Sequence, residues 1–327
     1  MSTVDLSKAL GYKAPPTKVV FNTRDYLLYA LSIGIHSEEL HFLYENHPQF
    51  AAFPTYPLVL AFKRDNNGVS VYDGAGSDAI PGIPPFDPNT AVHGEQSLEV
   101  HRALPVEGAE GFELQSTVTG VYDKGKGMVI ERTAKLVDPK DVSRPYATMM
   151  GSAFVRGSGG WGGPRGPADV APDRRKPESL DPPKDRAPDR VYEDSTHADQ
   201  AILYRLSGDY NPLHIDPEIA PMVGLERPIL HGLCTFGHSA HAILKAYGGS
   251  NSRAFKSITG RFSAPVLPGD TLVTKMWNVT SSSSTTPENK GQTRILFQTY
   301  AKERNLLVIN SGCVILQDPS PQTHSKL

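Results

Sequence analysis

Cysteine is almost missing from this chain: Cys234 and Cys313 are the only two among 327 residues. That excludes a disulfide framework and a zinc ribbon, and it fits a reducing interior compartment. Apolar runs approaching the roughly 18 residues that a membrane span requires are also lacking. Met1 to Lys13 carries no apolar core of the signal-peptide kind. Neither sign of charge dominates, with 33 basic residues against 35 acidic ones, so no electrostatic footprint for nucleic acid stands out. The sequon Asn278-Val279-Thr280 then reads as a chance match. Apolar material is plentiful at 39%, enough for the core of one large domain or two ordinary ones, which excludes global disorder.

A segment rich in proline and charge, from Pro164 to Asp189, divides the chain. Pro167, Pro172, Pro177, Pro182, Pro183 and Pro188 interrupt its backbone donors and leave few apolar anchors, so it reads as a linker crossing the surface. The expected organisation is a first unit over 1–163, the linker over 164–189, a second unit over 190–318 and a tail over 319–327. Asp318-Pro319-Ser320-Pro321 should hold that tail extended. Its last residues, Ser325-Lys326-Leu327, match the address read by the peroxisomal import receptor.

Both units show the same pattern. In the second, Leu267-Pro268-Gly269-Asp270 precedes strand-like runs over Thr271–Thr280, Thr293–Lys302 and Leu306–Leu316. In the first, Leu104-Pro105 precedes Phe112–Tyr122, Met128–Val137 and Tyr146–Val155. Each is a meander rich in Val, Ile, Thr and aromatics, and internal duplication is the economical explanation. Each unit also supplies a helix. Leu233, Phe236, Ala240, Ile243, Leu244 and Tyr247 recur at helical spacing, with Gly248-Gly249 as the stop. Tyr26–Ile33 reads as the first-unit helix, capped by Asn22 or Thr23. The predicted fold class is α+β, a helix beside a curved antiparallel sheet, repeated twice.

The most informative stretch runs from Tyr204 to Pro217 and contains Gly208-Asp209-Tyr210-Asn211-Pro212-Leu213-His214. Asp209 and His214 are five apart and would point roughly 140° from each other on a regular helix. Gly208 and Pro212 break any such helix, and a tight turn can bring both side chains to one point. A carboxylate and an imidazole sharing one water form a competent acid–base pair. Taken alone, the same residues also describe a surface turn with an Asx-type hydrogen bond. Downstream, Arg227-Pro228-Ile229-Leu230-His231-Gly232 leads directly into the apolar helix. Gly232 falls where unpaired helix N–H groups point outward, a place that favours negative charge and close approach of a ligand oxygen. Its plainer reading is a packing glycine.

The stretch from Tyr204 to Gly237 closely resembles the hydratase 2 motif of MaoC-like enoyl-CoA hydratases. His93-Gly94-Glu95-Gln96 is similar to that family's first-half signature, and Gly157 to Gly163 to the end of its first repeat. The resemblance implies a double hot-dog fold and hydration of trans-2-enoyl-CoA to (3R)-3-hydroxyacyl-CoA, with the substrate carried as its CoA thioester and no further cofactor. It implies that Asp209, Asn211 and His214 are catalytic, that the Gly232 N–H donates to the oxyanion, and that Glu95 matters in a role the sequence does not assign. The first half lacks Asp-x-Asn-Pro-Leu-His, so the resemblance implies that it houses the acyl chain. It further suggests a homodimer; with no obvious dehydrogenase or sterol-carrier segment the expectation is a free-standing hydratase, peroxisomal by its terminal triplet, in fatty-acid β-oxidation or a specialised pathway.

Other signals point elsewhere less well. Gly157-Ser158-Gly159-Gly160-Trp161-Gly162 satisfies a dinucleotide fingerprint, but Gly163-Pro164-Arg165-Gly166-Pro167 follows where a helix is needed. His231, His238 and His241 lack the i, i+4 pairing of a zincin, and no metal site is expected. Gly237-His238-Ser239-Ala240-His241 is not a serine-hydrolase elbow. Arg205 and Arg227 flank the motif and are candidates for the CoA phosphates, against the alternative of ordinary solvated arginines. The competing functions are a hot-dog acyl-CoA thioesterase and a non-catalytic acyl-CoA binding protein, because one fold serves many activities.

Overall fold

From Leu233 to Leu244 every residue is buried, so over that stretch the helix Gly232–Gly248 has no face for water. Such a helix must be wrapped on all sides. Its stop is a left-handed Gly249, φ 59°, whose N–H reaches back to the Leu244 carbonyl. The computed structural model describes residues 4–70, 72, 79–87, 90–170, 179–280 and 291–318. Among them the wrapping is supplied by one antiparallel sheet.

Its strands are β1 (Thr17–Asn22), β2 (Ala91–Val100), β3 (Gly108–Asp123), β4 (Gly127–Val137), β5 (Ala147–Arg156), β6 (Arg190–Ser195), β7 (Phe255–Phe262), β8 (Thr271–Asn278), β9 (Gln292–Ala301) and β10 (Leu306–Gln317). The spatial order is β1-β3-β4-β5-β2-β7-β10-β9-β8-β6. Read outward from the centre, both halves repeat one order, with β2 matching β7 and β1 matching β6. The halves join where β2 and β7 pair antiparallel, from Glu95 opposite Arg261 to Glu99 opposite Ser257. Antiparallel pairing of equivalent strands is what a two-fold relation between two copies produces. The two meanders read from sequence are β3-β4-β5 and β8-β9-β10. On β8, Leu272, Thr274 and Met276 alternate inward, the period of a half-buried strand.

The halves differ in their helices. The first-half helix, Thr23–Ser32, follows β1 and opens with a capping box in which Asn22 and Asp25 satisfy each other's backbone N–H. The second-half helix instead lies before β7, and the described residues between Lys63 and β2 hold no α-helix. The two helical segments meet at Gly237. A Cβ there would come within 2.5 Å of Ile33 Cγ2 and 3.2 Å of the Tyr29 hydroxyl.

The long helix also carries polar groups into the core, and three of them, His238, Ser239 and His241, find partners there. His238 Nδ1 meets Asp194 of β6 at 2.7 Å, and His241 Nε2 meets Glu39 of the first half at 2.6 Å. Ser239 donates to the Thr235 carbonyl at 2.9 Å. His238 and His241 thus tie the helix to both halves of the molecule. Burial alone would raise the Glu39 pKa, but the His241 bond and charge, with Ser250 and Lys245, bring it down to about 2.

The glycine-rich loop after β5 wraps a carboxylate of its own chain. Asp123 accepts the N–H groups of Gly160, Gly162 and Gly125 at 2.7–2.8 Å. Those bonds, Gly160 and Gly125 foremost, lower its pKa to about 2. The described parts of the Pro164–Asp189 segment are held at both ends: Asp123 donates its N–H to Pro164 O, and Asp189 its N–H to Met276 O. Pro172, Pro177 and the Ser325-Lys326-Leu327 terminus lie outside the described residues.

Two stability outcomes are expected. Gly237→Ala gains up to about 1 kcal/mol of helix propensity but forces a methyl into Ile33, an overpacking cost of about 1–3 kcal/mol. Urea unfolding should therefore show a net loss. Glu39 is charged when folded at pH values where the unfolded chain binds a proton. Its contribution is present above about pH 4.5 and is lost as pH falls towards 2. The slope of unfolding free energy against pH in that window should flatten in Glu39→Gln, and an unchanged slope would show that the Glu39–His241 pair does not set it.

Candidate functional site

The loop that carries Asp209 and His214 is a chain of short turns held from several sides. The helix Gln200–Tyr204 passes into a 3-10 turn at Arg205–Ser207, and Gly208 follows with φ 128°. A Cβ on Gly208 would lie 2.6 Å from the Lys63 backbone nitrogen, so the glycine is required both by φ and by close approach. Asp209 Oδ1 accepts the Asn211 N–H at 3.3 Å, and Asn211 Oδ1 caps the next 3-10 turn, Pro212–His214, by accepting the Leu213 N–H at 3.0 Å. These turns bring together two side chains that a regular helix would separate.

His214 Nδ1 lies 2.8 Å from the Ile229 carbonyl, which can only accept. Nδ1 therefore carries the proton, and Nε2 presents a lone pair. One carboxylate oxygen of Asp209 and one ring nitrogen from each of His214 and His231 all lie within 4.8 Å of one another. His231, 1% exposed, stacks on His214 with centroids 3.6 Å apart and planes at 28°. Its Nε2 is 3.1 Å from the Asp209 carbonyl, so that nitrogen is the protonated one. Groups this close can share a water or a proton.

Burial shifts the pair in opposite directions. It raises Asp209 above the ordinary 3.8, against the pull of the His214 charge and the Asn211 N–H. It lowers His214 below 6.5, against the Asp209 charge and the Ile229 carbonyl. Burial also pushes His231 well below 6.5, so this ring is neutral.

Gly232 is the first residue of the long helix, directly after His231, so its N–H has no intrahelical partner. Its side-chain position is occupied: a Cβ would come within 3.2 Å of the Phe262 ring. The packing reason for a glycine thus holds beside any role of its N–H. Glu95 lies on β2 at the junction of the halves, exposed, opposite Arg261, with its N–H donated to Ser152 Oγ at 2.9 Å. Among the described residues no hydrogen bond joins it to Asp209 or His214. Its neighbour His93 does reach the helix mouth, packing on Phe262 at 4.8 Å and bonding Gln96 at 3.0 Å. His93 is exposed, yet burial holds its pKa at about 4.

Arg205 lies over the Tyr210 ring at 5.0 Å, and its Nε is buried without a partner. Arg227 is exposed and donates to Pro268 O at 3.3 Å. The residue that sequence reasoning undervalued is His231, weighed there only as a metal ligand and given no part in the site. Its only sequence signal is its place directly before Gly232.

A duplicated, helix-wrapping antiparallel sheet of this order defines the double hot-dog class. A Mycobacterium tuberculosis protein described as having a double hotdog fold shares that fold, with TM-score 0.52 at 14% identity over 94% of this chain and 96% of that one. Residues 20–157 match the MFE-2 hydratase 2 N-terminal domain, and residues 180–299 the MaoC like domain. The probable enoyl-CoA hydratase 2 of Dictyostelium discoideum is 38% identical over 316 residues, spanning 96% of this chain and 97% of that protein. The Mus musculus peroxisomal multifunctional enzyme type 2 is 37% identical over 94% of this chain, which spans 38% of that longer protein. The crystal structure of a MaoC-like dehydratase from Phytophthora capsici superposes with TM-score 0.83 at 38% identity, covering 98% and 100% of the two chains. The chain belongs to the MaoC-like hydratase 2 family.

Gly208→Ala tests the loop geometry. The clash falls on backbone that cannot swing aside, and the φ costs a further 1–3 kcal/mol or so. Both melting temperature and turnover are expected to fall. Wild-type values of the two would show that the Gly208 bend does not hold the site.

Proposed function

We propose that this chain adds water across the double bond of a trans-2-enoyl-CoA, giving the (3R)-3-hydroxyacyl-CoA in a reversible reaction. The observation that supports this best is the close grouping of the Asp209 carboxylate and the His214 imidazole beside the first turn of a buried helix. The names of the full-length relatives point to the same chemistry.

In this reading Asp209 and His214 hold one water near C3 of the substrate. The water oxygen bonds to C3 while its proton is taken by the pair, and the pair returns a proton to C2. The π electrons of the double bond move towards the thioester oxygen as the C3–O bond forms. The Gly232 N–H, backed by the helix dipole, is placed to stabilise that oxygen. Asn211 has its Oδ1 committed to the Leu213 N–H, so it serves by orienting the loop that presents His214. Glu95 acts from the first half in a part the geometry does not assign.

Arg227, whose guanidinium is exposed, is the better placed of the two arginines to meet CoA phosphates, with Arg205 behind it. The first half takes up the acyl chain. The enzyme needs no metal or other cofactor, works as a homodimer, and reaches the peroxisome through Ser325-Lys326-Leu327, in β-oxidation of fatty acids.

Ultraviolet monitoring of crotonyl-CoA and longer trans-2-enoyl-CoAs, with chiral analysis of product, tests the reading. Turnover is expected to persist after dialysis against a chelator. It is expected to drop at least about 100-fold in Asp209→Asn and in His214→Ala. Near-normal turnover in either variant would overturn the assignment. Release of free thiol from a saturated acyl-CoA would favour a thioesterase instead, and binding without turnover a non-catalytic carrier.

A further inference from the structure

Three observations meet at His231. Its ring stacks on His214 at 3.6 Å. Its Nε2–H is donated to the Asp209 carbonyl at 3.1 Å. It stands directly before Gly232, the first residue of the long helix. No other residue of the described chain is shown touching both partners of the pair while also beginning that helix. The ring contacts Tyr204 as well, at 4.9 Å, so it is braced from the helix that opens the loop.

We propose that His231 is a positioning residue for the hydration reaction, fixing Asp209 by its hydrogen bond and His214 by its stacked face. The proposal rests on the reading of Asp209 and His214 as the acid–base pair. The hydrogen bond acts on the Asp209 main chain, which sets where the carboxylate departs from the loop. The stack leaves the His214 ring one in-plane freedom, and the Ile229 carbonyl removes it. Neutrality is essential, because a cation against His214 would repel the proton that His214 must accept, and burial keeps this ring uncharged. Its Nδ1 is buried with no hydrogen-bond partner among the described residues.

Two substitutions separate the two contacts. His231→Phe keeps a flat ring against His214 and loses the bond to Asp209. His231→Gln keeps an N–H donor and loses the ring. With crotonyl-CoA, His231→Phe is expected to lower kcat about 10- to 100-fold and to change KM less than about 3-fold, with an unaltered circular dichroism spectrum. In His231→Gln, the His214 imidazole loses an apolar cover, so its titration, followed by nitrogen-15 NMR, should move up towards the ordinary value.

A packing role predicts the reverse, since phenylalanine fills the same space. A kcat for His231→Phe within twofold of wild type overturns the proposal, and so does an unmoved His214 titration in His231→Gln. His214→Ala is measured alongside. If it is inactive while His231→Phe is normal, the positioning role alone fails. If His214→Ala is itself active, the acid–base reading fails and takes the positioning role with it. Should His231→Phe not fold, the nitrogen-15 titration of His231→Gln decides.

Discussion

A helix with twelve consecutive buried residues, Leu233 to Leu244, sets the terms for everything around it. Water cannot satisfy any face of that stretch, so a sheet has to curve about it, and three of the polar side chains it carries are met by protein. That is why Asp194, Glu39 and Thr299 lie where they do, against His238, His241 and Ser239. The same constraint decides what happens at the ends. At the carboxyl end a left-handed glycine turns the last carbonyls back on themselves. At the amino end the first N–H groups lack intrahelical partners, and the helix begins directly after His231, whose ring meets the Asp209 carbonyl.

The two halves make unequal use of one topology. The second half holds the buried helix and the loop with Asp209 and His214. The first supplies support: Ile33 and Tyr29 lie against Gly237, Glu39 takes His241, and the Lys63 backbone lies under Gly208. Its strand β2 completes the sheet at β7 and sends His93 to Phe262, the ring that fills the space beside Gly232. Equivalent strands pair at the centre, so a first-half residue comes within two side chains of the second-half helix mouth. A single half could not enclose that mouth.

What could be read from sequence was what is local. The meanders β3-β4-β5 and β8-β9-β10 show their alternation within ten or so residues, and the long helix and its glycine stop are equally self-contained. Strands β1 and β6 escaped notice because they are six residues long and, at the ends of the sheet, carry polar residues such as Lys18, Arg190 and Glu193. β2 was recognised only as a motif, since Gly94 and a shift of register between His93 and Glu95 interrupt its pattern. Asp209 and His214 were legible as a pair because they lie five positions apart, with one helix breaker, Gly208, before them and another, Pro212, between them. The bond from His231 to Asp209 spans 22 residues, and no periodicity or spacing announces it. The glycine-rich run at Gly157–Gly163 shows the same limit: nothing nearby names its partner, Asp123, more than thirty residues upstream.

The same six residues, Asp209 to His214, would make an ordinary turn on an open surface. In water a carboxylate and an imidazole have pKa values that differ enough for the proton to stay on the imidazole. Burial acts on them with opposite sign, because it disfavours a negative charge on one and a positive charge on the other. Asp209 moves up and His214 moves down, and each unit by which the gap closes removes about 1.4 kcal/mol from the cost of moving a proton between them. A neutral His231 beside them adds desolvation without adding a competing charge. The matching of the pair therefore comes from where the fold sets the turn, at the end of a helix that admits no water, more than from the turn's own residues.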